Sequence, residues 1–217
     1  MAGKLLKKEL ALCLHPTTPL MIALCAIVLV PNYPYTLIFF YLTLGVFFIC
    51  LSGRENHDII FSVTLPVSKR EIVTARFLLV LLMELTQLLL TAVLIFLRGR
   101  LFPGGNAAGM DANLSLLGEG LCCFGVFHLV FFPSYYKNTD RVGISFLKSC
   151  IAMGLLTALD IVLTYTVPLF RDILDTADPA FLAEKFVFFF CCLLFCLAST
   201  WLALQISRRR FEKLDIR

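Results

Sequence analysis

Long, continuous apolar runs separated by short polar stretches dominate the chain, and they constrain its fold more than any other feature. A segment that lies in lipid has no water to satisfy its backbone, so it must be a helix or a strand of a closed barrel. Barrel strands show short alternating patterns, whereas these runs are unbroken for most of a bilayer's thickness. Composition agrees. Hydrophobic residues make up 59% of the 217 and charged ones 16%, against roughly 25% charged in a soluble domain. The mean hydropathy is +0.89. A soluble core cannot absorb that much apolar surface without aggregating patches.

The sequence therefore predicts an all-α polytopic membrane protein: one transmembrane domain over 1–217, with six transmembrane helices. Residues 3–14 intermix Leu5, Leu6, Leu10 and Leu12 with Lys4, Lys7, Lys8 and Glu9, as an amphipathic interfacial helix would. Spans are expected at about 17–30, 35–51, 72–97, 114–132, 142–163 and 181–206. Pro31, Asn32 and Pro34 make a hairpin between the first two, and Pro133 stops the fourth. A Gly-rich loop occupies 103–113, an acidic one 171–180. Lys4, Lys7 and Lys8 resemble the start of a signal peptide. No small-residue cleavage site follows, so the first apolar segment is expected to remain as an anchor.

Of 19 Lys and Arg residues, only Arg98, Arg100, Arg171 and Lys185 fall on one face; the other fifteen fall on the opposite one. That positive-inside bias predicts six spans with both termini on the cytoplasmic side. It also explains the net charge of +4 without a nucleic acid partner. The nine cysteines fit no disulfide framework. Cys191, Cys192 and Cys196 cluster, yet no His or Cys loop pairs with them at zinc-site spacing, so no metal is expected.

Catalytic signatures are mostly absent: no GxxxxGK[ST] phosphate loop, no HExxH, no GxSxG. Ionisable and polar groups inside spans are Glu84 and Gln87 (one turn apart), His128 and Asp160. At such depth they face the bundle or a cavity. Either they fix helix packing by interhelical hydrogen bonds, or they line a polar or proton-linked site. The polar stretch 52–71 is the most informative. A helix over 55–64 would group Ile59, Ile60 and Val63, start with Glu55 and Asp58, and end at Pro66. Ser68 and Glu71 form a capping box for the next helix. The loop either tucks apolar residues against the membrane or docks them into a groove on a cytoplasmic partner.

The run E-x-x-D-x-x-x-S-x-x-LPVSKREIV-x-AR over 55–76 resembles the loop of short bacterial membrane subunits of type-2 ABC exporters. Length, six spans and a basic amphipathic first helix are similar too. The resemblance implies a permease that is not itself an enzyme and forms the translocation pathway with a second permease subunit, identical or related. A separate ATP-binding subunit would carry ATP and Mg. It implies that Glu55, Asp58, Phe61, Ser62, Leu65, Pro66, Val67 and Arg70 belong to a coupling loop seated on that subunit. Here Lys69 follows the Ser, where the family more often has Arg, and Arg70 comes next. Two rivals remain at this point: an intramembrane enzyme using Glu84, His128 or Asp160, and a non-transporting adaptor or immunity protein.

Overall fold

The computed structural model describes residues 2–101, 105–106 and 108–215, so the Gly-rich loop lies partly outside the described residues. All its regular elements there are helical. They are α1 (Ala2–Lys8, continued as a π-helical turn Glu9–Cys13), α2 (Thr18–Ala23, continued as 3-10 helix Leu24–Leu29), α3 (Leu37–Glu55), α4 (Asp58–Thr64), α5 (Lys69–Leu101), α6 (Leu114–Tyr135), α7 (Val142–Thr166), a π-helical turn Leu169–Leu174 and α8 (Leu182–Glu212).

Five of these, α3 and α5 to α8, are long and apolar enough to cross a membrane. A sixth span requires the N-terminal pair Leu5–Cys13 and Thr18–Leu29, which meet at 90°. The helix Thr18–Leu29 alone reaches about 21 Å, short of a hydrocarbon core of ~30 Å. At its end Arg98 of α5 donates to the Val28 carbonyl at 2.9 Å and lies over the Tyr35 ring at 4.9 Å. A cation that reads as a topology signal in sequence thus satisfies a helix terminus inside the protein.

The interfacial helix departs from its expected amphipathicity. Leu5, Glu9 and Cys13, spaced four apart, face the bundle, while Leu10, Leu12 and Leu14 face outward. The inward stripe therefore contains a carboxylate, and the reason lies in its partners, described below.

α6 is the central helix, with 67% of its span buried, and it packs most extensively on α8. Small residues permit this. A Cβ on Gly120 would lie 2.5 Å from the Phe39 ring of α3, and one on Gly125 would lie 3.0 Å from Phe195 of α8. Backbone approach of that kind is the usual means of helix association in lipid. The helix also runs through Pro133 to Tyr135, beyond the expected stop. Pro133 sits in the last turn, so its missing N–H frees a single upstream carbonyl. Outward faces of α5, α7 and α8 carry Leu85, Leu89, Val93, Leu155, Val162, Leu194 and Trp201, all exposed. Such surface suits acyl chains, not water.

Candidate functional site

Two groups of polar side chains stand out, at opposite ends of the helices. The first surrounds α4. Helix α3 ends at Glu55, and the chain turns through His57 in the left-handed region (φ 54°) before α4 begins at Asp58. α4 is thus shorter than the predicted 55–64 helix, and Glu55 belongs to α3, where it is exposed beside Arg54 at 3.8 Å. After α4, the Ser68–Glu71 capping box forms as the spacing predicts: Ser68 N donates to Glu71 Oε2 at 2.9 Å, and Glu71 N to Ser68 Oγ at 3.3 Å.

Asp58 anchors the short helix. Its Oδ2 pairs with Arg76 Nη2 at 2.6 Å and its Oδ1 with Lys8 Nζ. Arg76 Nε also pairs with Glu9 Oε2 at 2.5 Å, and Lys8 Nζ lies 3.3 Å from Glu9 Oε1. Lys8 donates further to Ser62 Oγ at 2.7 Å, one turn along α4. Two acids and two bases thus join α1, α4 and α5. Arg76 is 4% exposed and Glu9 2%, which explains why a carboxylate occupies the inner stripe of the first helix. Burial alone would raise the Asp58 carboxyl, but Arg76 and Lys8 hold it below its ordinary range. Burial alone would lower Lys8, but its bond to Asp58 and the nearby Glu9 raise it instead. Cys13 Sγ lies within 4.8 Å of oxygens of Glu9 and Asp58. The cations Arg76 and Lys8 already occupy both carboxylates, so the cluster is balanced without a metal.

The network fixes one face of α4 and leaves the other free. Ser62 is buried, and Ile59, Val63 and Val67 pack partly against the core. Ile60 and Phe61 are 42% and 52% exposed. The apolar set that sequence periodicity grouped for docking is therefore split: Ile59 and Val63 face the protein's own bundle, and Ile60 with Phe61 faces out. Leu65 is half-buried and Pro66 exposed. Arg70 is exposed and paired with Glu212 of α8 at 2.6 Å. Arg208 and Arg210 donate to Thr74 Oγ1 (2.8 Å) and the Pro133 carbonyl (2.6 Å). These contacts tie α8 to α5 and α6 near α4.

Within the bundle, Glu84 pairs with His128 rather than with Gln87. Its Oε1 lies 2.8 Å from His128 Nε2, and His128 Nδ1 lies 2.8 Å from Thr200 Oγ1. Gln87 donates to the Ile38 carbonyl at 2.9 Å. The Glu–His–Thr order has the connectivity of a hydrolytic triad, but His128 is fully buried and Thr200 is 9% exposed, so a substrate carbonyl has no access. The arrangement braces α5, α6 and α8. Cys191 faces outward whereas Cys192 and Cys196 face inward, so the three thiols do not converge.

At the far end, Asp160 of α7 meets Thr36 and Glu119 of α6, a residue that sequence reading passed over. A model of the ABC-2 family transporter proteins matches residues 4–212. The chain belongs to the ABC-2 transporter family. It is a multi-pass cell-membrane protein of the permease type. No curated protein and no solved structure matches this permease.

Proposed function

We propose that the permease is the membrane half of an ATP-driven exporter and that α4 is its coupling helix. The exposed pair Ile60 and Phe61, on a short helix pinned from behind by a partly buried four-charge network, carries this reading. A surface meant to transmit force needs a free contact face and a rigid attachment, and α4 has both. The ATP-binding subunit would be a separate P-loop protein holding ATP and Mg, and Ile60 and Phe61 would enter a groove on it. Nucleotide-driven closure of two such subunits would push α4 in each of two permease subunits, and rigid-body motion of the bundles would alternate access. The basic residues near α4 favour the cytoplasmic side for this end and for both termini.

The test is co-purification of a P-loop ATPase with the permease. Substituting Ile60→Asp or Phe61→Asp on the exposed face should abolish it while the network behind α4 stays intact and the permease still folds. Undiminished association would overturn the assignment.

A further inference from the structure

At the turn between α6 and α7, Ser134, Lys137, Asn138, Arg141, Ser145 and Lys148 border a hollow of about 280 Å³. Its wall holds three cations and no acid. Lys137 also borders a second hollow, with Arg210 and Lys213, and that one again has no acid in its wall. Asp140, the neighbouring acid in sequence, lines a separate cleft with Arg54 and His57.

Many basic side chains at this end are taken up by the protein itself. Lys8 and Arg76 meet Glu9 and Asp58, Arg70 meets Glu212, Lys69 the Leu214 carbonyl and Arg208 Thr74. Lys137, Arg141 and Lys148 differ. They are exposed, and none makes an ion pair or a side-chain hydrogen bond among the described residues.

Lys148 is the most telling of the three. It lies six residues beyond Val142, the first residue of α7, and so about 9 Å into a membrane-spanning helix. Its neighbours there are Ile144, Leu147, Ile151 and Leu155, all exposed. A cation in such a stripe is costly unless it reaches headgroup level and meets an anion there. Long side chains near the end of a span do reach that level. Arg141, two turns back on the same face, and Lys137 in the turn add two more cations to the hollow. α7 also starts without a side-chain cap, so the positive end of its dipole adds to the same field. An anion that carries apolar chains matches both halves of this surface, the cations and the stripe beneath them.

We propose that the hollow seats the headgroup phosphate of an anionic phospholipid whose acyl chains lie along Ile144, Leu147 and Ile151. Basic pockets at the ends of transmembrane helices recognise such headgroups. The lipid belongs to the leaflet at this end of the bundle. Its seat requires only that α7 spans the membrane, whatever drives the permease, so loss of the exporter reading would leave it standing.

The test is native mass spectrometry of the delipidated full chain in dodecyl maltoside. Dioleoylphosphatidylglycerol is the probe; dioleoylphosphatidylcholine and inorganic phosphate are the controls. One phosphatidylglycerol per chain should bind saturably, and phosphatidylcholine, with the same chains, should bind at least about fivefold more weakly. Lys137→Gln, Arg141→Gln and Lys148→Gln should each weaken phosphatidylglycerol about fivefold, the effect of one basic residue at an anionic surface. Lys148→Arg should keep the affinity. Lys7→Gln, which removes an exposed cation outside the hollow, should leave it unchanged. An equal loss from Lys7→Gln would reduce the site to charge spread over this end, and it overturns the proposal. So does the absence of saturable binding, or equal binding of the two lipids. Displacement of the lipid by an equal concentration of inorganic phosphate would mark a plain anion site and overturns it as well. In cell membranes, benzoylphenylalanine at Ile144 should cross-link to phospholipid; a protein adduct in its place, from a second permease copy or an ATPase, refutes the lipid seat.

Discussion

Replacing Arg76 by Met keeps most of the side-chain volume and removes the cation shared by Glu9 and Asp58. Arg76 and Glu9 are almost wholly buried, so solvent screening gives little relief. Breaking a buried pair by removing one partner costs about 3–5 kcal/mol. Lys8 remains at 3.3 Å from Glu9 and in contact with Asp58, which places the cost at the lower end, about 3 kcal/mol. For a chain of this size each kcal/mol shifts Tm by about 2–4 °C, so the loss is roughly 6–12 °C. The assay is thermal unfolding in detergent, followed by circular dichroism and by maleimide labelling of Cys50, a buried thiol near Arg76. The double change Glu9→Gln with Arg76→Met removes one charge of each sign, leaves the Lys8–Asp58 pair and should recover most of the loss. A shift below about 2 °C for Arg76→Met, or a double variant less stable than the single one, would refute a network held together by charge balance.

Other consequences are separately measurable. Asp58 has a lowered folded value, so its stabilisation is present above the ordinary 3.8 and lost as pH falls below that. Lys8 has a raised one, so its part is present below 10.5 and lost only at higher pH. The stability gap between wild type and Asp58→Asn should therefore stay flat through neutral pH and close in strong acid; a gap that changes around neutrality would contradict the pairing. Asp175 behaves in the opposite sense. Burial raises it to about 6, while Asp111 N donates to it at 2.6 Å, so the 167–181 segment should gain protection as pH falls through 6 toward 3.8. Hydrogen exchange across that interval checks this, and Asp175→Asn should abolish the pH dependence. Gly120→Leu drives a side chain into Phe39 and should cost about 1–3 kcal/mol in the same thermal assay, whereas Gly99→Leu, with nothing within 4 Å, should not.

The helical, membrane-spanning character was legible because hydropathy is a local property summed along each run. The Ser68–Glu71 cap was legible for the same reason, since its partners lie three residues apart. The Lys8–Glu9–Asp58–Arg76 network was not. Its members come from three helices, and nothing local marks Glu9, set among lysines, as the one that turns inward. Asp160 was visible as an intramembrane acid, but Glu119, near the start of its span, was passed over, because its partner lies on another helix and only the packing of α6 and α7 brings the two together. The same applies to Arg98, which counts as a surface charge in sequence and proves to be a buried cap on Val28. The docking face was half legible: periodicity grouped Ile59, Ile60 and Val63, but only packing shows that Ile59 and Val63 are taken by the bundle and that Ile60, with Phe61, is free.

The proposed exporter mechanism rests most heavily on α4 as the contact with an ATP-binding subunit. Its most direct test is photo-cross-linking from benzoylphenylalanine placed singly at Ile60, Phe61, Ile59 or Leu155 in membranes, with the products identified by mass spectrometry. Positions 60 and 61 should yield a P-loop ATPase adduct that positions 59 and 155 do not. Absence of that adduct from 60 and 61, or its equal appearance from 155 on the lipid-facing side of α7, would contradict it.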